Sequence, residues 1–152
     1  MIVELKILFL AMSPFLELRG SIPLALGVYQ MPFWSSFLIS VIGNLIPVVL
    51  LLCLLERVSK YLSSHFRLFD RFFKWLFKRT RKKHATKFNR WKEYALVALV
   101  AIPLPFTGAW TGSLCAFVFG IRFGKAFPLI SIGVVIAGVI VTLASLSIFI
   151  IS

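Results

Sequence analysis

The stretch AIPLPFTGAWTGS, residues 101–113, interrupts an apolar part of the chain with two prolines, two glycines and three hydroxyl side chains. The apolar arms beside it, residues 94–102 and 114–121, each supply about half of the roughly 20 residues that a membrane-spanning helix needs. We therefore predict a re-entrant hairpin, with two half-helices that enter and leave on the same side. Irregular backbone at membrane depth survives only against protein or a water-filled cavity, so we expect the hairpin tip to line a site.

Composition and charge both indicate a membrane protein. Sixty per cent of the 152 residues are hydrophobic and the mean hydropathy is +0.97, which is typical of one small integral membrane domain. Residues 57–92 hold 13 of the 17 basic residues and a single acid, Asp70. Because lysine and arginine concentrate on the cytoplasmic side, we place this segment inside the cell. Cys53 and Cys115 show no metal-ligand spacing, and neither a metal nor a cofactor is predicted.

The pattern of the 101–113 region recurs near the N-terminus. An apolar arm at 2–12 is followed by a polar, broken centre at 13–23 and a short second arm, which predicts another hairpin. Leu38-Ile39-Ser40 in the first long apolar segment recurs as Leu129-Ile130-Ser131 in the second. With the basic segment inside, the two halves run antiparallel, which is the inverted-repeat plan of many secondary transporters.

The predicted fold is an all-α integral membrane protein of two inverted repeats, each a re-entrant helical hairpin followed by one transmembrane helix. Its segments are hairpin 1 (1–32), a transmembrane helix (33–55), a basic amphipathic cytoplasmic helix and loop (56–93), hairpin 2 (94–123) and a second transmembrane helix (124–152). The amphipathic helix is expected to lie on the inner leaflet and bind anionic headgroups. Positive-inside bias already explains the charge, so no nucleic-acid partner is predicted. A homodimer is expected, because two full spans could hardly enclose a pathway alone.

Three stretches carry a family resemblance. They are Pro14-Phe15-Leu16-Glu17-Leu18-Arg19-Gly20-Ser21-Ile22-Pro23, Gly43-Asn44-Leu45-Ile46-Pro47-Val48 and residues 101–112. In this order they resemble the hallmark motifs of the prokaryotic small multi-drug export proteins, and the resemblance covers essentially the whole chain. It implies a multi-pass protein of the prokaryotic plasma or inner membrane. Phe106 stands where many members are expected to have glycine. More distantly the chain is similar to the DedA and VTT membrane proteins, whose hairpin-tip acidic and arginine residues are associated with lipid or polyprenyl-phosphate translocation.

Glu17 and Arg19 are the only charges expected near membrane depth, where a charge costs about 2.5 to 3.5 kcal/mol or more. They either act in transport or pair with each other to staple the hairpin. Asn44 is expected either to cap a half-helix or to contact substrate, and Trp110 either to pack or to receive a cation. The remaining candidate site residues are Thr107 and Thr111. The predicted hairpin-turn residues are Gly20, Pro23, Pro103, Pro105, Gly108 and Gly112.

Three function classes remain open. The first is a small secondary exporter of amphipathic molecules in which Glu17 takes up and releases a proton. The second is a DedA-like translocase that holds a lipid phosphate at Arg19 and the hydroxyls. The third is a non-transporting membrane scaffold. An enzyme is the least favoured class, because the sequence has no nucleophile–base pair or metal cluster.

Overall fold

The computed structural model describes residues 1–81, 85–104 and 107–152, and all regular structure in this part of the chain is helical. Its helices are α1 (Ile2–Met12), α2 (Glu17–Gly27), α3 (Phe33–His65), α4 (Arg67–Arg81), α5 (Ala85–Ala101), α6 (Ala109–Val118) and α7 (Phe123–Ile151). Among the described residues, two helical segments are long and apolar enough to cross a membrane, Phe33–Leu62 and Phe123–Ile151. The prediction of an all-α protein with two such helices is confirmed.

The basic segment is divided differently from the prediction of one amphipathic helix within 56–93. Helix α3 continues past residue 55 to His65, because no proline or glycine intervenes and each added residue gains a helical hydrogen bond. Extended backbone at Phe66 then separates α3 from α4. Helix α5 already begins at Ala85. Residues 82–84 of the basic run lie outside the described residues.

The two halves of the chain pack in equivalent ways around the contact between α3 and α7. Helix α1 contacts α2 and α3, as α5 contacts α6 and α7, while α2 and α6 each contact both long helices. Gly43 of α3 lies against α1, and Gly133 of α7 lies against α5. A Cβ at Gly133 would fall 2.7 Å from Val100 Cβ, so these glycines allow the helices to approach closely.

Each pair of short helices forms a helical hairpin, defined here as hairpin 1 (α1 and α2) and hairpin 2 (α5 and α6). In hairpin 2, Lys92 Nζ in the middle of α5 lies 3.5 Å from the carbonyl oxygen of Phe119, just after α6. In hairpin 1, Gly27 at the end of α2 lies against Phe149 near the end of α7. Hairpin 2 therefore opens at the end of the bundle where α7 begins. Hairpin 1 opens at the opposite end, where α7 ends.

Three of the residues that we predicted to form hairpin turns lie inside helices. Gly20 and Pro23 belong to α2, and Gly112 belongs to α6. Gly20 and Gly112 are each the fourth residue of their helix, and a fully buried serine follows each of them. A Cβ at Gly112 would collide with Val100 of α5, so this glycine serves helix packing rather than a turn.

The breaks between the helices are shorter than the sequence suggested: residues 13–16 separate α1 from α2, and α6 begins at Ala109 after α5 has ended at Ala101. Pro103 and Gly108 lie in the second of these, while Pro105 and Phe106 lie outside the described residues. Helix α1 ends at Met12 because Pro14 disfavours helical backbone at Ser13. Helix α2 then starts again at Glu17 and continues through Pro23, which has no N–H to donate to the carbonyl of Arg19.

Candidate functional site

The tips of the two hairpins contact each other inside the bundle. The indole Nε1 of Trp110, in the first turn of α6, donates a hydrogen bond of 3.2 Å to the carbonyl oxygen of Met12 at the end of α1. Glu17 and Arg19 reach from the start of α2 to the turn that precedes α6. We call this region the tip contact, formed by Met12, Glu17, Arg19, Thr107, Gly108 and Trp110.

Glu17 is buried in the tip contact, with only 7% of its surface exposed. Its Oε1 accepts a 3.5 Å hydrogen bond from the backbone N–H of Trp110, and the N–H of Ala109 also faces the carboxylate. These N–H groups belong to the first turn of α6 and have no partners within that helix. The positive end of the helix dipole also favours an anion here. The carboxylate of hairpin 1 therefore stabilises the start of α6 in hairpin 2.

Both sides of this contact have left-handed backbone. Glu17 has a φ of +46°, which non-glycine residues adopt infrequently. Gly108 has a φ of +136°, and a Cβ there would lie 2.8 Å from Glu17 Cδ and collide with the carboxylate. Glycine is therefore required at position 108 by both its conformation and its neighbour.

Arg19 also bonds to the opposite hairpin. Its Nη2 donates to the backbone carbonyl of Thr107 and to Thr107 Oγ1, the latter at 2.9 Å. The Thr107 hydroxyl in turn lies within 3 Å of the carbonyl oxygens of Ile102 and Leu104, to which it can donate. The guanidinium thus orders the turn between α5 and α6.

The two tip charges attract each other within hairpin 1 but do not form a salt bridge there. Both residues are described, and no salt bridge within 4.0 Å joins Glu17 to Arg19. Each binds hairpin 2 instead, because two side chains only two positions apart at the start of a helix point in different directions. Together they connect the hairpins to each other.

Asn44 of α3 lies beside the tip contact. It is 1% exposed, and within the described part of the chain its Oδ1 has no hydrogen-bond partner. Glu17, Arg19 and Asn44 line a cavity of about 10 Å³, closed by apolar residues that include Val134 and Ala137 of α7. That volume corresponds to about one water molecule. A buried acceptor without a partner is uncommon, which marks Asn44 as a candidate ligand-binding residue.

The sequence predicted several of these residues but not their partners. Thr107 and Trp110 lie in the tip contact, and Thr111 lies in the first turn of α6. The Met12 carbonyl carries no sequence signal, because every residue has one. A buried hydrogen bond of 2.9 Å between Ser21 and Ser40, which joins α2 to α3, was also missed.

The comparisons with known proteins identify the family. The family model described as "Putative small multi-drug export protein" matches residues 17–140, which include the tip contact from Glu17 onward and both long helices. No curated protein and no solved structure matches the chain, so the more distant resemblance to DedA and VTT proteins stays a prediction. The family and the two long apolar helices together indicate a membrane protein and a transporter rather than an enzyme. Because the match covers well over half of its length, the chain belongs to the small multi-drug export protein family.

Proposed function

We propose that this protein exports small amphipathic molecules through a site that opens at the tip contact, by proton-coupled alternating access. One observation carries the proposal. A buried carboxylate, Glu17, binds the opposing hairpin beside the buried amide oxygen of Asn44, which has no hydrogen-bond partner among the described residues. Left-handed backbone at a charged, buried residue is the kind of local strain that accumulates at functional sites.

The packing supports a membrane arrangement with re-entrant hairpins in two inverted repeats. The tip cavity is lined from α3 by Asn44 and from α7 by Ala137, each near the middle of its apolar helix. Helix termini that meet at this depth are the usual place for substrate in inverted-repeat transporters. With the basic end inside the cell, hairpin 2 opens to the cytoplasm and hairpin 1 to the outside.

Protonation of Glu17 is the proposed trigger. The ionised carboxylate accepts charge-assisted hydrogen bonds from the start of α6, and such bonds are about twice as strong as neutral ones. A proton taken up from outside removes that charge, weakens the tip contact and lets a bound substrate leave to the outside. Release of the proton to the cytoplasm restores the ionised carboxylate and the contact before the next substrate binds from inside, so inward proton flow drives export.

The proposal is tested with purified protein in liposomes under an imposed pH gradient, with a cationic dye and a labelled anionic lipid measured in parallel. Glu17→Gln keeps the shape of the side chain but cannot cycle a proton, so gradient-driven dye transport is expected to disappear. The matched control is Glu4→Gln, the same change at an exposed carboxylate of α1, which should transport like the wild type. Wild-type flux by a stable Glu17→Gln protein would overturn the mechanism. Lipid movement that depends on Arg19 rather than Glu17 would instead indicate the translocase.

We also propose that the transporter is a homodimer. The described part of one chain supplies two long apolar helices, and a second copy would enclose the pathway around the hairpins. The mass of the detergent-solubilised protein by light scattering decides this, and a monomer that is active in liposomes at one copy per vesicle would contradict it.

A further inference from the structure

A second cavity lies far from the tip contact, where the apolar part of α3 ends and α7 begins. It is an open cleft of about 580 Å³, within the range of small-molecule sites. Its lining residues come from α3, from α6 and from the connection between α6 and α7. They are Glu56, Ser59, Lys60, Phe117, Gly120, Ile121, Arg122, Phe123 and Gly124.

The connection that shapes the cleft is fixed by its backbone. Gly120 has a φ of +71°, and its N–H donates to the carbonyl of Phe117 at 3.0 Å. The N–H of Ile121 donates to the carbonyl of Ala116 at 2.9 Å, which completes a Schellman motif at the end of α6. The chain then extends through Arg122 into α7. The cleft is therefore a formed feature of the fold.

Three charged residues line the cleft without ion-pair partners. Among the residues that the structure describes, Glu56, Lys60 and Arg122 take part in no salt bridge. The nearby Lys125, by contrast, pairs with Glu93 at 3.6 Å. Two cations and one anion thus face one cleft together with a serine, at the level where a membrane-spanning helix leaves the apolar layer.

The remaining wall of the cleft is apolar and includes Phe117, Ile121 and Phe123. A ligand that suits this lining has an apolar body and a headgroup with both signs of charge. A phosphate between Lys60 and Arg122 satisfies the two cations, since phosphate is a good acceptor for both side chains. The Glu56 carboxylate in the same cleft disfavours a purely anionic headgroup and favours one that also carries an ammonium group.

We propose that this cleft binds phosphatidylethanolamine from the surrounding bilayer, with its phosphate at Lys60 and Arg122 and its ammonium at Glu56. Phosphatidylglycerol offers no cation to Glu56. Phosphatidylcholine has a quaternary ammonium with no N–H to donate. The site is separate from the tip contact, and lipid binding there does not depend on the proposed export activity.

Native mass spectrometry of the full-length protein in detergent, titrated with each of the three lipids, tests the proposal. The wild type is expected to retain phosphatidylethanolamine about tenfold more tightly than the other two lipids, the effect of one charge-assisted hydrogen bond. Lys60→Gln should remove most binding of every phospholipid. Its matched control is Arg57→Gln, an exposed cation on the same helix that does not line the cleft, and this variant should bind like the wild type. Glu56→Gln should abolish the preference for phosphatidylethanolamine over phosphatidylglycerol.

A second variant blocks the cleft without removing a charge. A Cβ added at Gly124 meets no heavy atom within 4 Å, so Gly124→Trp can enter the open space. We expect it to melt like the wild type and to lose the lipid. Equal lipid retention by Lys60→Gln and Arg57→Gln, or no preference among the three lipids in the wild type, would overturn the proposal. So would full retention by a folded Gly124→Trp protein.

Discussion

Gly108→Ala is the substitution that most directly tests the tip contact. The backbone at this position is left-handed, with φ of +136° and ψ of −162°, a region that is essentially restricted to glycine. The added methyl group would also overlap the carboxylate of Glu17, with the Cβ only 2.8 Å from Cδ. The change therefore strains the turn and pushes the two hairpin tips apart at the same time.

The expected loss can be worked out from these two effects. Forcing a side chain into a glycine-only conformation costs about 1 to 3 kcal/mol. Overpacking a buried contact costs about 1 to 3 kcal/mol more. The free energy of unfolding should therefore fall by roughly 2 to 6 kcal/mol. For a protein of this size each kcal/mol lowers Tm by about 2 to 4 °C. Gly108→Ala should thus melt roughly 4 to 24 °C below the wild type.

The assay is thermal unfolding of the purified protein in detergent, with Gly124→Ala as the matched control. Gly124 lies in the first turn of α7, and a Cβ added there meets open space. Because alanine favours a helix more than glycine does, this change should leave Tm unchanged or raise it slightly. In a Glu17→Ala background the overlap disappears, and Gly108→Ala should cost only its backbone strain. A Gly108→Ala protein that melts within about 2 °C of the wild type would refute the geometry of the tip contact.

Three further predictions concern the packing, the charge and the buried amide. Gly133→Ala should lower the free energy of unfolding by about 1 to 3 kcal/mol, because its Cβ meets the backbone and a branched side chain of α5. Gly27→Ala should lower it by less, because its Cβ meets only the ring end of a half-exposed phenylalanine, and equal losses in the two variants would contradict this. Reporter fusions at Ser152 and within residues 79–87 should place the first outside and the second inside the cell, and a cytoplasmic Ser152 would exclude the inverted repeat. Asn44→Leu should leave Tm unchanged or raise it, because the change removes a buried acceptor that has no partner among the described residues. The same variant should lose transport, and a fall in Tm of more than about 5 °C would show that Asn44 is structural.

The sequence was most informative where one local property dominates. The length of α7 follows from an unbroken apolar run, and α1 ended where Ser13 and Pro14 predicted. Helix boundaries were wrong where a residue type has two uses. Gly112 was interpreted as a turn residue, but it lies in α6 against Val100. Glycine is compatible with both a turn and a close helix contact, and local sequence does not distinguish them.

Segment composition likewise misled the interpretation of the basic region. Positive charge marks which side of the membrane a segment occupies, but it does not end a helix. Helix α3 therefore continued to His65, and the change of direction fell at Phe66, where no glycine or proline signals a break.

By itself the sequence determined that the chain is helical, apolar enough for a membrane and interrupted at two places, and that Glu17 and Arg19 are exceptional charges. Only the tertiary structure decided what those charges bind. A carboxylate and a guanidinium two residues apart suggest each other as partners. Instead, Glu17 bonds Trp110 and Arg19 bonds Thr107, which are 93 and 88 positions away. Such pairings depend on how two hairpins meet in space, and side-chain spacing along the chain carries no information about that meeting.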